Sequence, residues 1–124
     1  MNKICTSIEQ SKKLIELGID VNTADMFWDT AEPLERIVPT VGSISDYYDM
    51  EDWAIPAWSL SALFNVLPKI VNNETLFVET SPALWHIGYR NVYTARANNL
   101  VDCCYELILK LHELNLGDYI QLDF

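Results

Sequence analysis

Hydrophobic and polar positions recur along this chain with two periods, and the switch between them marks out its elements. Ile8, Ser11, Leu14, Ile15 and Leu17 fall on one side of a helix. Thr6-Ser7-Ile8-Glu9 has the form of a capping box, a hydroxyl for the free amides and a glutamate three residues on. Gly18 stands where a left-handed residue ends such a helix. The pattern predicts a helix over about 7–17, with Glu9–Lys13 and Lys12–Glu16 as i,i+4 pairs on its polar side. Met26, Phe27 and Trp28 predict a short strand over 23–29. Pro33 and Pro39 bracket residues 34–38, an edge-strand pattern, because proline cannot donate to a ladder. Residues 41–53 keep no period and are expected as loop, within an irregular region over 30–55.

Leu60, Leu63, Phe64 and Leu67 return to helical spacing, with Ser59 as the cap and Pro68 as the stop. This predicts a second helix over about 59–67. Residues 75–79 and 84–89 alternate about Thr80-Ser81-Pro82-Ala83 and predict a hairpin with a four-residue loop. Leu76 and Val78 then share a face with Trp85, Ile87 and Tyr89, while Phe77 and His86 meet on the other. Leu100, Cys104, Leu107, Leu111 and Leu114 form the stripe of a third helix over about 99–115, capped by Asn98 or Asn99 and ended near Gly117. Residues 118–124 are left as a tail. The expected fold is one α+β domain over 1–124. In it, a small antiparallel sheet, the hairpin 75–89 plus the strand near 23–29, packs against three α-helices. Trp85, Ile87, Leu76, Val78, Leu60, Leu63, Phe64, Leu67, Leu100, Cys104, Leu107 and Leu111 are its expected core.

Composition narrows the setting. The 124 residues are half apolar, which excludes a disordered chain. Eight Lys and Arg stand against 18 Asp and Glu, a net charge of −10. The cations are scattered, so neither nucleic acid nor an anionic membrane is expected as a partner, and a basic protein is favoured. No apolar run approaches the ~18 residues of a membrane span. The amino-terminal stretch turns charged at Glu9 without the apolar core of a secretion signal. Cys5, Cys103 and Cys104 are an odd set with two neighbours, unlike a disulfide framework. The cytoplasm is the expected compartment.

Candidate chemistry is sparse. His86 and His112 come from different elements, and no serine or cysteine is tied to either by a known spacing. Cys104 and His112 lie too far apart on one helix to share an ion. No phosphate loop, nucleotide fingerprint or hydrolase elbow occurs, and no cofactor is expected. Asp46, Tyr47, Tyr48, Asp49, Glu51, Asp52 and Trp53 crowd acids and aromatics together, which suits a contact with a basic partner. Weak calcium binding or a carboxylate acid–base pair are the alternatives there. Tyr105, Leu109 and His112 form a second strip, on the side of the last helix away from its main stripe, and a homodimer through it is an alternative to cover by the tail.

Residues 6–18, 56–63 and 99–114 together resemble a family of small uncharacterised proteins from the genomes, phages and mobile elements of gut anaerobes. The shared segments are helix caps and packing stripes. They imply a common fold, a bacterial cytoplasm and service to a phage or prophage, and carry no catalytic residue across. The expected function is that of a non-enzymatic acidic accessory protein that binds another protein, a nucleic-acid mimic being a sharper form of that idea. The alternative is a small enzyme or ligand-binding module that uses His86 or His112 with a nearby carboxylate.

Overall fold

A computed structural model describes residues 3–30, 36–39 and 54–114. The chain divides into two compact units, Ile4–Ala62 and Leu63–Phe124, the latter joined by Met1–Lys3. Among the described residues, helix and strand content is mixed, with three α-helices and two antiparallel sheets. No helix there is long and apolar enough to cross a membrane.

In the unit Ile4–Ala62, helix α1 spans Ile8–Glu16. Its cap is Ser7 and not Thr6: Ser7 Oγ accepts from Gln10 N (3.1 Å), and Gln10 Oε1 accepts from Ser7 N (3.0 Å). The box is displaced by one residue because the Thr6 side chain is engaged elsewhere. Buried Thr6 Oγ1 accepts the Trp58 amide (3.1 Å) and shares a proton with Ser11 Oγ (2.7 Å). Its own amide donates to Trp58 O (2.9 Å), and its carbonyl accepts the Trp28 indole N–H (3.0 Å). One threonine thus ties the amino-terminal segment to α1, to β1 and to the end of β3. At the other end of α1, Gly18 takes φ +97°. Gly18 N donates to Ile15 O (3.0 Å) and Ile19 N to Leu14 O (3.1 Å), the paired bonds of a Schellman cap.

Strand β1 (Met26–Asp29) is central, with β2 (Arg36–Pro39) and β3 (Ala54–Ala57) antiparallel on either side. Phe27 faces Val38 and Pro56 in register. The strand expected over 23–29 starts later because Asp20 caps a 3-10 turn over Val21–Thr23. Pro56-Ala57-Trp58 leads into a helix in sequence, yet Ala54–Ala57 is a strand, and Pro56 fits it because an edge position does not need every donor. Fully buried Trp58 follows, its indole N–H donating to Thr23 Oγ1 (2.9 Å). Helix α2 (Leu60–Val66) opens as the sequence predicts, with Ser59 Oγ accepting from Ala62 N (3.2 Å).

In the second unit, β4 (Ile70–Val71), β5 (Glu74–Thr80), β6 (Trp85–Tyr89) and β7 (Tyr93–Ala97) form a meander, and α3 (Leu100–Glu113) packs on β6 and β7. The expected sheet of hairpin plus strand 23–29 is therefore corrected. Strand β1 has both edges filled within its own unit, while β5 and β6 find β4 and β7. Strands β4 and β7 were not anticipated. Asn72 and Asn73 turn β4 into β5 with φ 51° and 69°, a tight hairpin that asparagine tolerates.

Ile87, Leu63, Leu67, Cys104, Leu107 and Leu111 are buried as expected. Val78 is not, at 44% exposed, because β5 runs past the end of β4 and is an edge there. Leu114 is exposed at the end of α3, whereas Val101, Cys103 and Ile108 are buried, so the apolar face of α3 is wider than one stripe. The helix ends before Gly117, which lies outside the described residues.

Two substitutions test these accounts. Thr6→Val strands the Trp58 amide and the Ser11 hydroxyl and should cost about 1–3 kcal/mol in urea unfolding; a cost within error of zero would refute the role given to Thr6. A Cβ at Gly88 would strike the Tyr93 carbonyl oxygen and come within 2.5 Å of Thr94 Cα, both backbone atoms of β7. Gly88→Ala should lower stability by about 1–3 kcal/mol, whereas Thr94→Ala should be nearly silent.

Candidate functional site

Pairing register decides which polar side chains meet. The β5–β6 loop is Ser81-Pro82-Ala83-Leu84, with Thr80 opposite Trp85. It is closed by Ser81 N donating to Leu84 O (2.9 Å). This is one residue later on each strand than the loop expected at 80–83. The pairing therefore slips by two positions, which keeps every side chain on its expected face and changes every partner. Leu76 and Val78 do share a face with Trp85, Ile87 and Tyr89. His86 faces Glu79, not Phe77, and Phe77 faces Gly88.

On the face turned from α3, β5, β6 and β7 then present two cross-strand rows. Glu79, His86 and Arg96 form one, and Phe77, Gly88 and Thr94 the other. His86 Nε2 lies 3.1 Å from Ser81 Oγ. Glu79 Oε2 accepts from Arg90 Nη2 at 2.8 Å, and the Arg90 guanidinium sits 4.4 Å from the centre of the Phe77 ring. The Arg90–Glu79 pair is exposed, so its attraction is screened and modest. Chemically the face offers a carboxylate held by a guanidinium, an imidazole bonded to a hydroxyl, and an exposed arginine. A Ser–His contact of this length is within the range of a nucleophile and its base. It also serves the hairpin directly, since Ser81 and Thr80 hydroxyls both reach Leu84 O at 3.4 Å.

The residues singled out in sequence fall in two places. Asp46, Tyr47, Tyr48, Asp49, Glu51, Asp52 and Trp53 lie outside the described residues, in the chain between β2 and β3. Tyr105, Leu109 and His112 lie on α3, the first two half-buried and His112 exposed. Ser81, Glu79, Arg90 and Arg96 escaped sequence reasoning. The signal was present in the hairpin, and a loop placed one residue later would have set Glu79 beside His86. Among the described residues, no group of three or more His, Cys, Asp or Glu is placed to hold a metal.

The cysteines are free and buried. Cys103 Sγ donates to Ala95 O (3.3 Å) and approaches Trp85 O (3.5 Å). Burial pushes its thiol up, against the amides of Ile87 and Ala97, which favour the thiolate. Burial, with Cys103 beside it, pushes Cys104 up to about 12. Burial also raises the Tyr89 hydroxyl, which donates to Pro68 O at 2.6 Å. Reactive cysteines are thiolates, so these side chains are packing groups. In the unfolded chain a thiol ionises near about 8.5, while folded Cys104 keeps its proton until about 12. Above the lower value the unfolded state holds fewer protons, so stability should fall as pH rises through that window. Urea midpoints at neutral pH and near pH ~10.5 should show that fall, and Cys104→Ala should lessen it; an unchanged slope in the variant would assign the effect elsewhere.

No family model, curated protein or solved structure matches the chain.

Proposed function

We propose that this chain is a non-enzymatic accessory protein of the cytoplasm that acts by binding a basic protein, through the unit Ile4–Ala62. The observation that carries this is an uneven distribution of charge. Residues 4–62 contain eleven of the 18 carboxylates and three of the eight cations, a balance of −8, leaving −2 for the other unit. Four of those eleven are Asp46, Asp49, Glu51 and Asp52, which follow one another among Tyr47, Tyr48 and Trp53. Like charges concentrated on one unit steer a cationic partner toward it, and the aromatics supply contact area once it arrives. The phage or mobile-element setting suggested by the family resemblance agrees with a small chain that works by occupying another protein.

The test is affinity capture from the source cell with wild type and with D46K/D49K/E51K/D52K side by side. A basic protein held by wild type, lost on the reversed variant and weakened by added salt is the expected outcome. Equal recovery on both would end this reading.

A second reading, a small hydrolytic enzyme, is favoured by the Ser81–His86 contact of 3.1 Å. Glu79, the carboxylate nearest in register, is committed to Arg90. If the pair is catalytic, Ser81→Ala should abolish turnover of an activated ester by wild type, and a rate equal to that of free imidazole in both proteins dismisses it.

A further inference from the structure

In an antiparallel sheet, successive residues bond alternately to the neighbour on either side. Leu76 N donates to Lys69 O (2.9 Å) on the β4 side, so β5 turns the backbone groups of Phe77 and Glu79 toward β6. Strand β6 meets them with Gly88 and His86, and turns Trp85, Ile87 and Tyr89 toward β7. Their partners Ala97, Ala95 and Tyr93 face back toward β6. Thr94 and Arg96 are left with N–H and C=O groups directed away from the sheet, and β7 is its last strand among the described residues. An edge of this kind is a template for another strand.

We propose that a second copy of this chain adds at this edge, antiparallel, about a two-fold axis through Ala95. Thr94 then lies opposite the partner's Arg96, and Arg96 opposite the partner's Thr94. Every outward N–H and C=O on both strands is used. Ala95 faces the partner's Ala95 at the non-bonded position, where side chains come closest and a methyl group fits. Tyr93 falls beside the partner's Ala97, large against small, and Arg96 is set against a hydroxyl and not a like charge. The opposite edge, the two residues of β4 continued by β5 past Leu76, lacks this self-complementarity. Strand β5 is covered as far as Leu76 by Lys69. A two-fold about Val78 would drive the partner into Lys69, and one about Glu79 would oppose two carboxylates. Such a dimer carries two acidic units, which raises its hold on a partner that has two basic sites. The dimer itself stands independently of that partner.

Sedimentation equilibrium of the full chain from about 1 to about 200 μM should show the mass rising toward twice that of one chain, as mass action requires. Over the same range, amide exchange at Thr94 and Arg96 should slow by about tenfold or more, while amides inside the β5–β6 ladder keep their rates. Arg96→Pro removes an N–H that serves no bond inside the sheet, so the folded variant should remain at the mass of one chain. If that variant does not fold, the wild-type exchange data decide. The proposal fails if the mass stays that of one chain throughout, or if folded Arg96→Pro still doubles in mass. It fails equally if both amides are protected at every concentration, which would mean that a segment of the same chain occupies the edge.

Discussion

The hydrogen-bond register of the β4–β7 meander is the constraint from which the chemistry of the second unit follows. It is set at three tight turns. Asn72 and Asn73 accept positive φ between β4 and β5, the bond from Ser81 N to Leu84 O closes the next loop, and Asn91, at φ 64°, with Val92 N donating to Tyr89 O (3.1 Å), turns β6 into β7. Once those turns are fixed, Glu79, His86 and Arg96 must stand in one row, and Gly88 must lie against the backbone of β7. Among the described residues, the same alternation turns the backbone groups of Thr94 and Arg96 away from β6. A shift of one residue would put His86 under α3 and Ile87 in water, which burial forbids.

The first unit depends on a different device. Thr6 supplies a donor and acceptors to Trp58, Ser11 and Trp28, so a polar cluster at the centre of that unit is fully bonded. Asp25 adds a second tie, accepting from Ser59 N (2.9 Å) and Ser59 Oγ (2.5 Å) where α2 begins. Buried polar groups of this kind cost free energy unless each finds its partner, and for that reason they define one arrangement more sharply than apolar contacts do. The charge of the unit lies elsewhere: Glu9, Glu16, Asp20 and Asp25 are exposed. Asp29 is the exception, a carboxylate buried at the end of β1.

Local signals in the sequence placed the helices, although the first cap and the hairpin loop each fall one residue later than read. Gly18 ends its helix as read, and of the two candidate caps Asn98 and Asn99 it is Asn99 whose Oδ1 accepts from Asp102 N at 2.8 Å. The periods of α1, α2 and α3 lie close to where spacing put them. The faces of the hairpin were legible because alternation fixes a face regardless of partner. The partners were not, because a slip of two positions leaves the pattern unchanged and only the turn bonds select among registers. Hence His86 was visible as a candidate while Glu79, Arg96 and Ser81 were not.

The amino-acid sequence by itself determined helix positions, hairpin faces, net charge and the concentration of that charge in the first half of the chain. Each depends on residue identity or on neighbours within a turn or two. Tertiary structure alone decided that the strand near Trp28 and the hairpin belong to separate sheets, that Thr6 is a core hydrogen-bonding centre rather than a cap, and that β7 is the last strand of the meander among the described residues. Those outcomes depend on which distant segments compete for the same backbone and hydroxyl groups, and no local pattern records the winner.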